Sequence, residues 1–418
     1  MKASEAVIET LQEWNVNHVY GYPGDSVNNL IEELRHSKND IYFIQVRHEE
    51  VAALAASAEA KFTNNVGVCV SIGGPGGAIH LLNGMYDAKA DGAPMVVITG
   101  QISDYLLGTD NFQEVNLERL FDDVAVFHHR VTSGEQMAPL IKQAFREASN
   151  KKGVAVLTVP DNIFKESIKK TPLRSSVKPE YTLFPDKESI KQAVSLIQKA
   201  KKPVILAGKG GALKARTELA EFAEKIAAPV VVSLRGKGVL PDEHPLNLGN
   251  LGQIGTKPSY EAMHEADLLL LIGTSFPYRE FLPESAPAIQ LDINPNNIGK
   301  WYPVDVGLIG SAKEVLFRFN EQLSYKNDRE FLRACQENMQ NWWKHIEDIV
   351  TTKRDKLQGP DVLHTLNRYI EDDAILSVDV GNITAWTARF LRMKNQQFII
   401  SSWLATMAVV YQEQLQPN

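Results

Sequence analysis

Charged side chains follow one another in Arg47-His48-Glu49-Glu50, where an extended run passes into an alanine-rich helix. A carboxylate can be buried at such a helix start, and a buried carboxylate suits proton transfer to a bound ligand. The alternative is a helix N-terminus that favours acidic residues because of its dipole. The local pattern alone favours this second interpretation, and it leaves a carboxylate of this motif as a candidate acid or base.

Two tight glycine turns follow predicted strands in the first half of the chain. They are Gly21-Tyr22-Pro23-Gly24 and Gly73-Gly74-Pro75-Gly76-Gly77. Glycine lets a ligand approach the backbone closely, and ligands of open α/β sheets gather at the carboxyl ends of strands. Each turn is also compatible with a simple connection between a strand and a helix.

Three strand-plus-turn segments in the second half are typical of a dinucleotide site. Gly208-Lys209-Gly210-Gly211 lies between a strand and a helix, a second turn starts at Gly273, and Asp292 ends a third strand. The first turn lacks the full G-x-G-x-x-G pattern. An acid after a buried strand is where a ribose hydroxyl is commonly held. The three segments together favour a dinucleotide.

These candidate residues lie among apolar strands that alternate with helices. The predicted strands are 66–72, 94–100, 153–160, 203–207, 229–234, 267–272, 288–293 and 374–380. Such alternation predicts an α/β fold with parallel sheets and helices on both faces. We expect a first domain at 1–165, a linker at 166–185, a middle domain at 186–325, a linker helix at 326–359 and the start of a third domain at 360–418.

Composition excludes several classes of protein. The formal net charge is -7 without a long basic run, so the sequence predicts no nucleic-acid partner. Cys69 and Cys335 are far apart and suggest neither a disulfide scaffold nor a metal pattern. Cys69 lies in an apolar run and is expected in the core. Because no signal peptide or membrane-length apolar run is evident, the expected compartment is the cytoplasm.

Taken together, the motifs resemble the thiamine-diphosphate enzymes of the pyruvate oxidase and acetolactate synthase family, and the bacterial FAD-containing pyruvate oxidases in particular. The matching segments are 21–24, 47–50, 74–76, Asn83-Gly84-Met85-Tyr86-Asp87-Ala88, Phe112-Gln113-Glu114, Gly273 to Tyr278 and Asp292 to Pro295. The resemblance covers nearly the whole chain. It implies the family's fold: a pyrimidine-binding domain, an FAD-binding middle domain and part of a diphosphate-binding domain.

The resemblance also implies roles for particular residues. Glu49 would hydrogen-bond the aminopyrimidine of thiamine diphosphate and assist its deprotonation. Phe112, Gln113 and His80 would line the substrate side, although His80 is also compatible with an ordinary helix histidine and Phe112 with a core aromatic residue. The residues implied to bind thiamine diphosphate are Gly24, Glu49, Pro75, Asn83, Asp379 and Met407. Those implied to bind FAD are Gly208, Gly210, Leu251, Gly252, Gln253, Ile254, Gly273, Thr274, Ser275, Phe276, Pro277, Asp292, Ile293 and Asn294.

The implied reaction is the oxidative decarboxylation of pyruvate through a hydroxyethyl-thiamine intermediate, with electrons passing to FAD. Phosphate and oxygen would then give acetyl phosphate and peroxide, whereas a quinone would give acetate and bring contact with a membrane. An intact enzyme of this family is expected to be a dimer of dimers. The alternatives are acetolactate synthase and a non-catalytic FAD-binding subunit.

The third domain departs from the family pattern. Its magnesium motif, Gly-Asp-Gly with a downstream Asn, does not occur in the 418 residues, and residues 408–418 match nothing in the family. We therefore expect Mg²⁺ ligands outside this sequence and no turnover of pyruvate by this polypeptide. One hypothesis is a single-base deletion after the codon of Met407, since suitable codons restore the family's sequence in the shifted frame. The alternative is a natural short homologue.

Overall fold

A computed structural model describes residues 1–169 and 182–407, which fall into two compact units. Of the described residues, the first unit comprises 1–169 and 399–407, and the second comprises 182–398. The described part of the predicted third domain, 360–407, is thus divided between the two units. The predicted linker at 166–185 lies partly outside the described residues. The proposed domain boundaries remain a prediction.

The first unit is a six-stranded parallel sheet with the order β2-β1-β3-β4-β6-β5. Its strands are β1 His18–Gly21, β2 Tyr42–Gln45, β3 Gly67–Ser71, β4 Met95–Gln101, β5 Ala125–Arg130 and β6 Val154–Pro160. Its helices are α1 Ala3–Glu13, α2 Asn28–His36, α3 Glu49–Thr63, α4 Gly74–Asp91, α5 Leu117–Phe121, α6 Met137–Lys151 and α7 Asp161–Phe164. The chain reverses its direction of winding between β1 and β3, and such a switch point opens a crevice at the carboxyl ends of the strands.

The second unit contains another six-stranded parallel sheet, with the order β12-β11-β10-β7-β8-β9. Its elements begin with α8 Lys187–Lys199, β7 Pro203–Ala207, α9 Lys209–Ala212, α10 Arg216–Lys225, β8 Val230–Val232, β9 Asn247–Asn250 and α11 Lys257–Glu265. They continue with β10 Leu268–Ile272, β11 Ala288–Asp292, β12 Val306–Ile309, α12 Ala312–Gln322 and α13 Glu330–Thr351. This is the strand order of dinucleotide-binding folds, with its switch point between β7 and β10.

The remaining elements are short. They are α14 Gly359–Leu366, β13 Ile375–Ser377, α15 Asn382–Phe390 and β14 Gln397–Ile399, and β13 pairs with β14. The strand predicted over 374–380 therefore ends three residues early. Val380 lies beyond the strand, and its N–H donates a hydrogen bond to the carboxylate of Asp379 at 2.8 Å.

Apolar side chains cover both faces of each sheet, as the alternation predicts. In the first unit, every residue of β3, β4 and β6 is buried, with one cluster around Val68 and Leu157 and another around Cys69 and Val97. Two corresponding clusters cover the sheet of the second unit. The α/β fold with parallel sheets is confirmed.

Both cysteines are buried, so we expect neither thiol to react in the native protein. Cys69 is fully buried, which confirms its predicted place in the core, and burial raises its pKa to about 12. Burial, together with Glu265, raises the pKa of Cys335 to about 12. Titration with a thiol reagent at mildly alkaline pH should detect no thiol before urea is added and two afterwards. A thiol that reacts rapidly in the folded protein would contradict this burial.

None of the helices in residues 1–169 and 182–407 combines the length and the apolar character that a bilayer crossing requires.

Candidate active site

Three strand ends of the first unit converge at the β1/β3 switch point. The turn to Gly24 follows β1, the segment to Glu49 follows β2, and the turn at Gly73 and Gly74 follows β3. Because neighbouring parallel strands end at the same edge of a sheet, the crevice lies among these three segments. The Oγ of Ser26 accepts a hydrogen bond from Gly73 N–H at 3.0 Å, which joins the segment after β1 to the turn after β3.

The carboxylate of Glu49 is buried at the first residue of α3. Only 7% of Glu49 is exposed, and its Oε2 lies 2.9 Å from Nδ1 of His80 on α4. An ionised carboxylate can only accept, so His80 donates its Nδ1–H. No further hydrogen bond to this carboxylate exists among the described residues, which leaves Oε1 available to a ligand. The local pattern favoured an ordinary helix start, but the fold gives Glu49 a histidine partner.

Two histidine rings lie together at this carboxylate. His48 precedes α3, and its ring stacks on that of His80 with 4.1 Å between the centroids. The Nδ1 of His48 accepts a hydrogen bond from Glu50 N–H at 3.3 Å and so caps the helix. His80 is exposed to solvent, so one side of the pair is open.

The donor atoms of His48, Glu49 and His80 all lie within 4.8 Å of one another. Two imidazoles and one carboxylate form a donor set that suits Zn²⁺. Mg²⁺ prefers oxygen ligands in octahedral geometry and does not fit this set. The magnesium that the resemblance implies therefore has no candidate ligands in this cluster.

Asn83 lies about one turn of α4 beyond His80. Its Nδ2 donates to Glu50 Oε1 at 2.5 Å and to Thr406 Oγ1 at 2.8 Å. Asn83 thus lies beside the Glu49–Glu50 helix start, and both of its donated bonds go to protein groups. Thr406 was not predicted, because a contact across 323 residues leaves no local pattern in the sequence.

The other residues expected near thiamine diphosphate take different positions. Gly24 is extended, and a side chain there would collide with Ile72. Pro75 is exposed in the first turn of α4, and a Cβ at Gly76 would contact nothing within 4 Å, so this backbone is open to a ligand. Asp379 belongs to the second unit. Met407 is 74% exposed.

The predicted substrate-side pair lies on the connection between β4 and α5. Phe112 is 82% exposed, so the alternative of a core aromatic residue is wrong. Gln113 has a left-handed backbone with φ of 64°. A Cβ added at Gly74 would lie 3.0 Å from the Cβ of Gln113, so this connection packs against the glycine turn that begins α4.

The glycines predicted to bind FAD pack against one another at the β7/β10 switch point of the second unit. Gly208 N–H donates to Ile272 O at 2.9 Å, and Gly210 N–H donates to Gly273 O at 3.2 Å. Gly273 has φ of 60°, and a side chain there would collide with the carbonyl of Gly210. Close packing of two backbone turns, in addition to any ligand, therefore requires these glycines.

A buried acid lies at the end of the neighbouring strand β11. Burial raises the pKa of Asp292, whose carboxylate accepts hydrogen bonds from Asn294 N–H at 2.8 Å and Asn297 Nδ2 at 3.1 Å. Asn294 starts a turn by accepting a bond from Asn296 N–H, and Ile293 is 47% exposed. An acid at this position has the placement that ribose hydroxyls require.

A cavity opens beside these strand ends. Its lining includes Thr274, Ser275 and Phe276 from the predicted set, together with Leu271, Leu282, Gln290, Trp301 and Tyr302. Pro277 follows directly in the chain. The structure therefore brings together three predicted residues around one small cavity of about 10 Å³, which is far smaller than the pockets that hold cofactors.

The predicted segment Leu251-Gly252-Gln253-Ile254 follows β9. Leu251 is buried, and Gly252 has φ of 106° with only Phe276 near the position of a Cβ, at 3.8 Å. The guanidinium of Arg389 donates to the carbonyls of Gln253 and Ile254. These bonds orient the segment, and Arg389 is a residue that the sequence did not single out.

Comparison with known proteins identifies the family to which both units belong. The thiamine pyrophosphate enzyme N-terminal TPP binding domain matches residues 1–120, and the central domain of these enzymes matches residues 190–319. Three similar relatives align over 97% of the chain. One of them, from Bacillus subtilis, is named as the thiamine pyrophosphate-containing protein YdaP and is 56% identical over 71% of its own length. The chain belongs to the thiamine pyrophosphate enzyme family.

The other two relatives represent two reactions within this family. The pyruvate oxidase of Lactiplantibacillus plantarum is 33% identical over 68% of its length. The acetolactate synthase large subunit of Corynebacterium glutamicum is 33% identical over 67% of its length. Because the identities are equal, overall similarity does not choose between the two reactions.

Proposed function

We propose that this chain belongs to an enzyme for the oxidative decarboxylation of pyruvate, with FAD as the first electron acceptor, and that turnover requires the Gly-Asp-Gly magnesium motif, which these 418 residues do not contain. The observation that carries the proposal is the buried carboxylate of Glu49 beside His80 at the β1/β3 switch point. The substrate-side pair Phe112-Gln113 and the segment Gly273 to Tyr278 favour an oxidase over a synthase. Oxygen with phosphate, or a quinone, would take up the electrons.

Glu49 and His80 would act as a proton-handling pair. Glu49 Oε1 would accept a hydrogen bond from the aminopyrimidine, while the Nδ1–H of His80 holds Oε2 in place. The open backbone at Gly76 and the exposed Pro75 would border the same ligand. When bound, thiamine diphosphate supplies the electron sink for decarboxylation. Phe112, exposed on its loop, would cover the substrate and exclude water.

The second unit would hold FAD at its own switch point. The strand order, the turn at Gly208 and Gly210, and the buried carboxylate of Asp292 together fit an adenine dinucleotide. Thr274 to Phe276 would contribute the cavity wall. When bound, FAD supplies the two-electron acceptor that separates an oxidase from a simple decarboxylase.

Two alternatives rest on separate observations. An acetolactate synthase is supported by the relative of Corynebacterium glutamicum and would join two keto acids without redox change at the flavin. A non-catalytic FAD-binding subunit is supported by the sequence, which contains no Gly-Asp-Gly motif, so we propose no magnesium ligand among these residues. The three functions predict different behaviour of the flavin.

One anaerobic experiment separates them. The purified protein, extended by the family's magnesium motif, is supplied with thiamine diphosphate, Mg²⁺ and FAD and mixed with pyruvate, while flavin absorbance and acetolactate are measured. An oxidase bleaches the flavin and forms no acetolactate. A synthase forms acetolactate with the flavin still oxidised. Bound flavin with neither reaction supports the non-catalytic subunit, and absence of bound flavin contradicts all three.

A further inference from the structure

The loop that carries Phe112 and Gln113 has an internal anchor. This loop, residues 102–114, connects β4 to the segment before α5 and is called the Phe112 loop below. At its base, Gln101 Nε2 donates to Val115 O at 2.9 Å, and Gln101 Oε1 accepts a bond from Ile102 N–H at 2.9 Å. Both ends of the loop are therefore fixed by one buried side chain.

The middle of the Phe112 loop is held by Glu114. Its Oε1 accepts a hydrogen bond from Gly108 N–H at 2.5 Å, and its Oε2 accepts one from Asn111 N–H at 3.2 Å. Its own N–H donates to Asn111 O at 2.9 Å. These backbone N–H groups lower the pKa of Glu114, so the carboxylate is ionised at neutral pH. The charge is thus held by two backbone donors of the loop itself.

The backbone of this loop needs such an anchor. Gly108, Asp110 and Gln113 all have left-handed conformations, with φ of 85°, 60° and 64°. Asp110 and Gln113 carry a Cβ, so their conformations are unfavourable and persist only where other contacts fix them. The two N–H groups that bind Glu114 belong to Gly108 and Asn111, on either side of Asp110, and Glu114 itself directly follows Gln113.

The anchored segment contacts the start of α4. Gln113 packs against Gly74, which itself has φ of 71°, and α4 carries His80 with its hydrogen bond to Glu49. Glu114 therefore connects, through the loop backbone, to the helix that supplies the histidine of the candidate active site. Glu114 itself contacts neither Glu49 nor His80 in the described hydrogen bonds.

We propose that Glu114 is a positioning residue that fixes Gln113 against the glycine turn of α4 and holds the loop on which Phe112 lies, and so sets the affinity of the site for its keto-acid substrate. This inference rests on the proposed function for the identity of the substrate, but its structural part does not. The ionised carboxylate of Glu114 accepts hydrogen bonds from loop N–H groups, in place of the backbone carbonyls that would pair with them in a helix or a sheet. Its removal releases the loop and leaves Glu49 in place.

Hydrogen–deuterium exchange tests the structural part. In Glu114→Gln, one oxygen is replaced by an amide group that cannot accept, so the amides of residues 108–111 should exchange about tenfold faster, with a smaller rise at 73–77. The matched control is Glu166→Gln, since Glu166 also accepts a backbone bond at 2.5 Å, from Gly134. Unchanged exchange at 108–111 in E114Q would overturn the proposal.

Steady-state kinetics of the protein loaded with cofactors test the effect on the site. E114Q should raise KM for pyruvate roughly tenfold and change kcat less, whereas E166Q should change neither. Faster exchange with an unchanged KM would assign Glu114 to loop stability alone and overturn the positioning role. If the unsubstituted protein shows no turnover of pyruvate, as a sequence without the magnesium motif predicts, the exchange at 73–77 alone decides whether Glu114 positions the turn.

Discussion

Replacing Glu49 by glutamine, in the protein extended by the family's magnesium motif, is expected to lower kcat/KM for pyruvate about 10²- to 10⁴-fold, the range that loss of a general acid or base produces. Glutamine has the shape of glutamate and preserves the start of α3, but it cannot carry the charge or the proton that the pair with His80 requires. The effect should appear mainly in kcat, because the substrate-side residues remain. Stopped-flow reduction of the flavin by pyruvate measures it directly.

The control for this substitution lies on the same helix. Glu59→Gln removes the carboxylate that lies 3.1 Å from His18 and should leave the rate of flavin reduction unchanged. Circular dichroism and flavin content should match in both variants. If E49Q reduces flavin as fast as the unsubstituted protein, Glu49 has no part in proton handling and the proposed mechanism is wrong.

The strands that the sequence predicted well are the buried ones. The run over 66–72 became β3, because unbroken apolar residues are typical of a strand covered on both faces. The edge strand β2, Tyr42–Gln45, appeared only as an extended run without bounds, since its residues are half-buried or exposed and show no unbroken apolar pattern. The strand predicted at 229–234 ends at Val232, where the chain turns into the segment that contacts β9.

The candidate site was predictable in its residue types but not in its contacts. Glu49 and His80 are 31 residues apart, and only the adjacency of their helices after β2 and β3 brings them together. No local pattern contains that adjacency. Phe112 illustrates the opposite case, because an aromatic residue in a sequence does not reveal whether it is covered. Its exposure follows from a loop held by Glu114, a residue that was part of a matched motif but had no assigned role.

The second large effect is expected at Lys61, where a methionine substitution should lower the free energy of unfolding by about 3–5 kcal/mol. The side chain of Lys61 is 3% exposed, and its Nζ lies 2.5 Å from Asp87 and 2.8 Å from Asp91, both on α4. Burial alone would lower the pKa of Lys61, but the two aspartates raise it above its usual range. Methionine fills a similar volume and leaves both carboxylates buried without their cation.

Urea denaturation measures this effect against Lys89→Met, since Lys89 pairs with Asp123 at 3.0 Å on the surface. An exposed pair of this kind contributes less than about 1 kcal/mol. Equal costs for K61M and K89M would contradict a buried charge cluster.

The arrangement around Lys61 makes a further distinction. Besides pairing with its two aspartates, Lys61 donates a hydrogen bond to Ile400 O, and Ser402 Oγ donates one to Asp91 at 2.9 Å. The cluster therefore also fixes the segment from Ile400 towards Thr406, the residue that Asn83 contacts. A triple variant with Lys61→Met, Asp87→Asn and Asp91→Asn should recover much of the lost stability, because no uncompensated charge remains.

Since the pKa of Lys61 is raised in the folded state, its stabilisation is complete below the pKa of an unfolded lysine and is lost as the pH rises through the folded value. In K61M, the free energy of unfolding should therefore fall less steeply with rising alkaline pH than in the unsubstituted protein. Equal alkaline slopes in the two proteins would assign the slope to other groups.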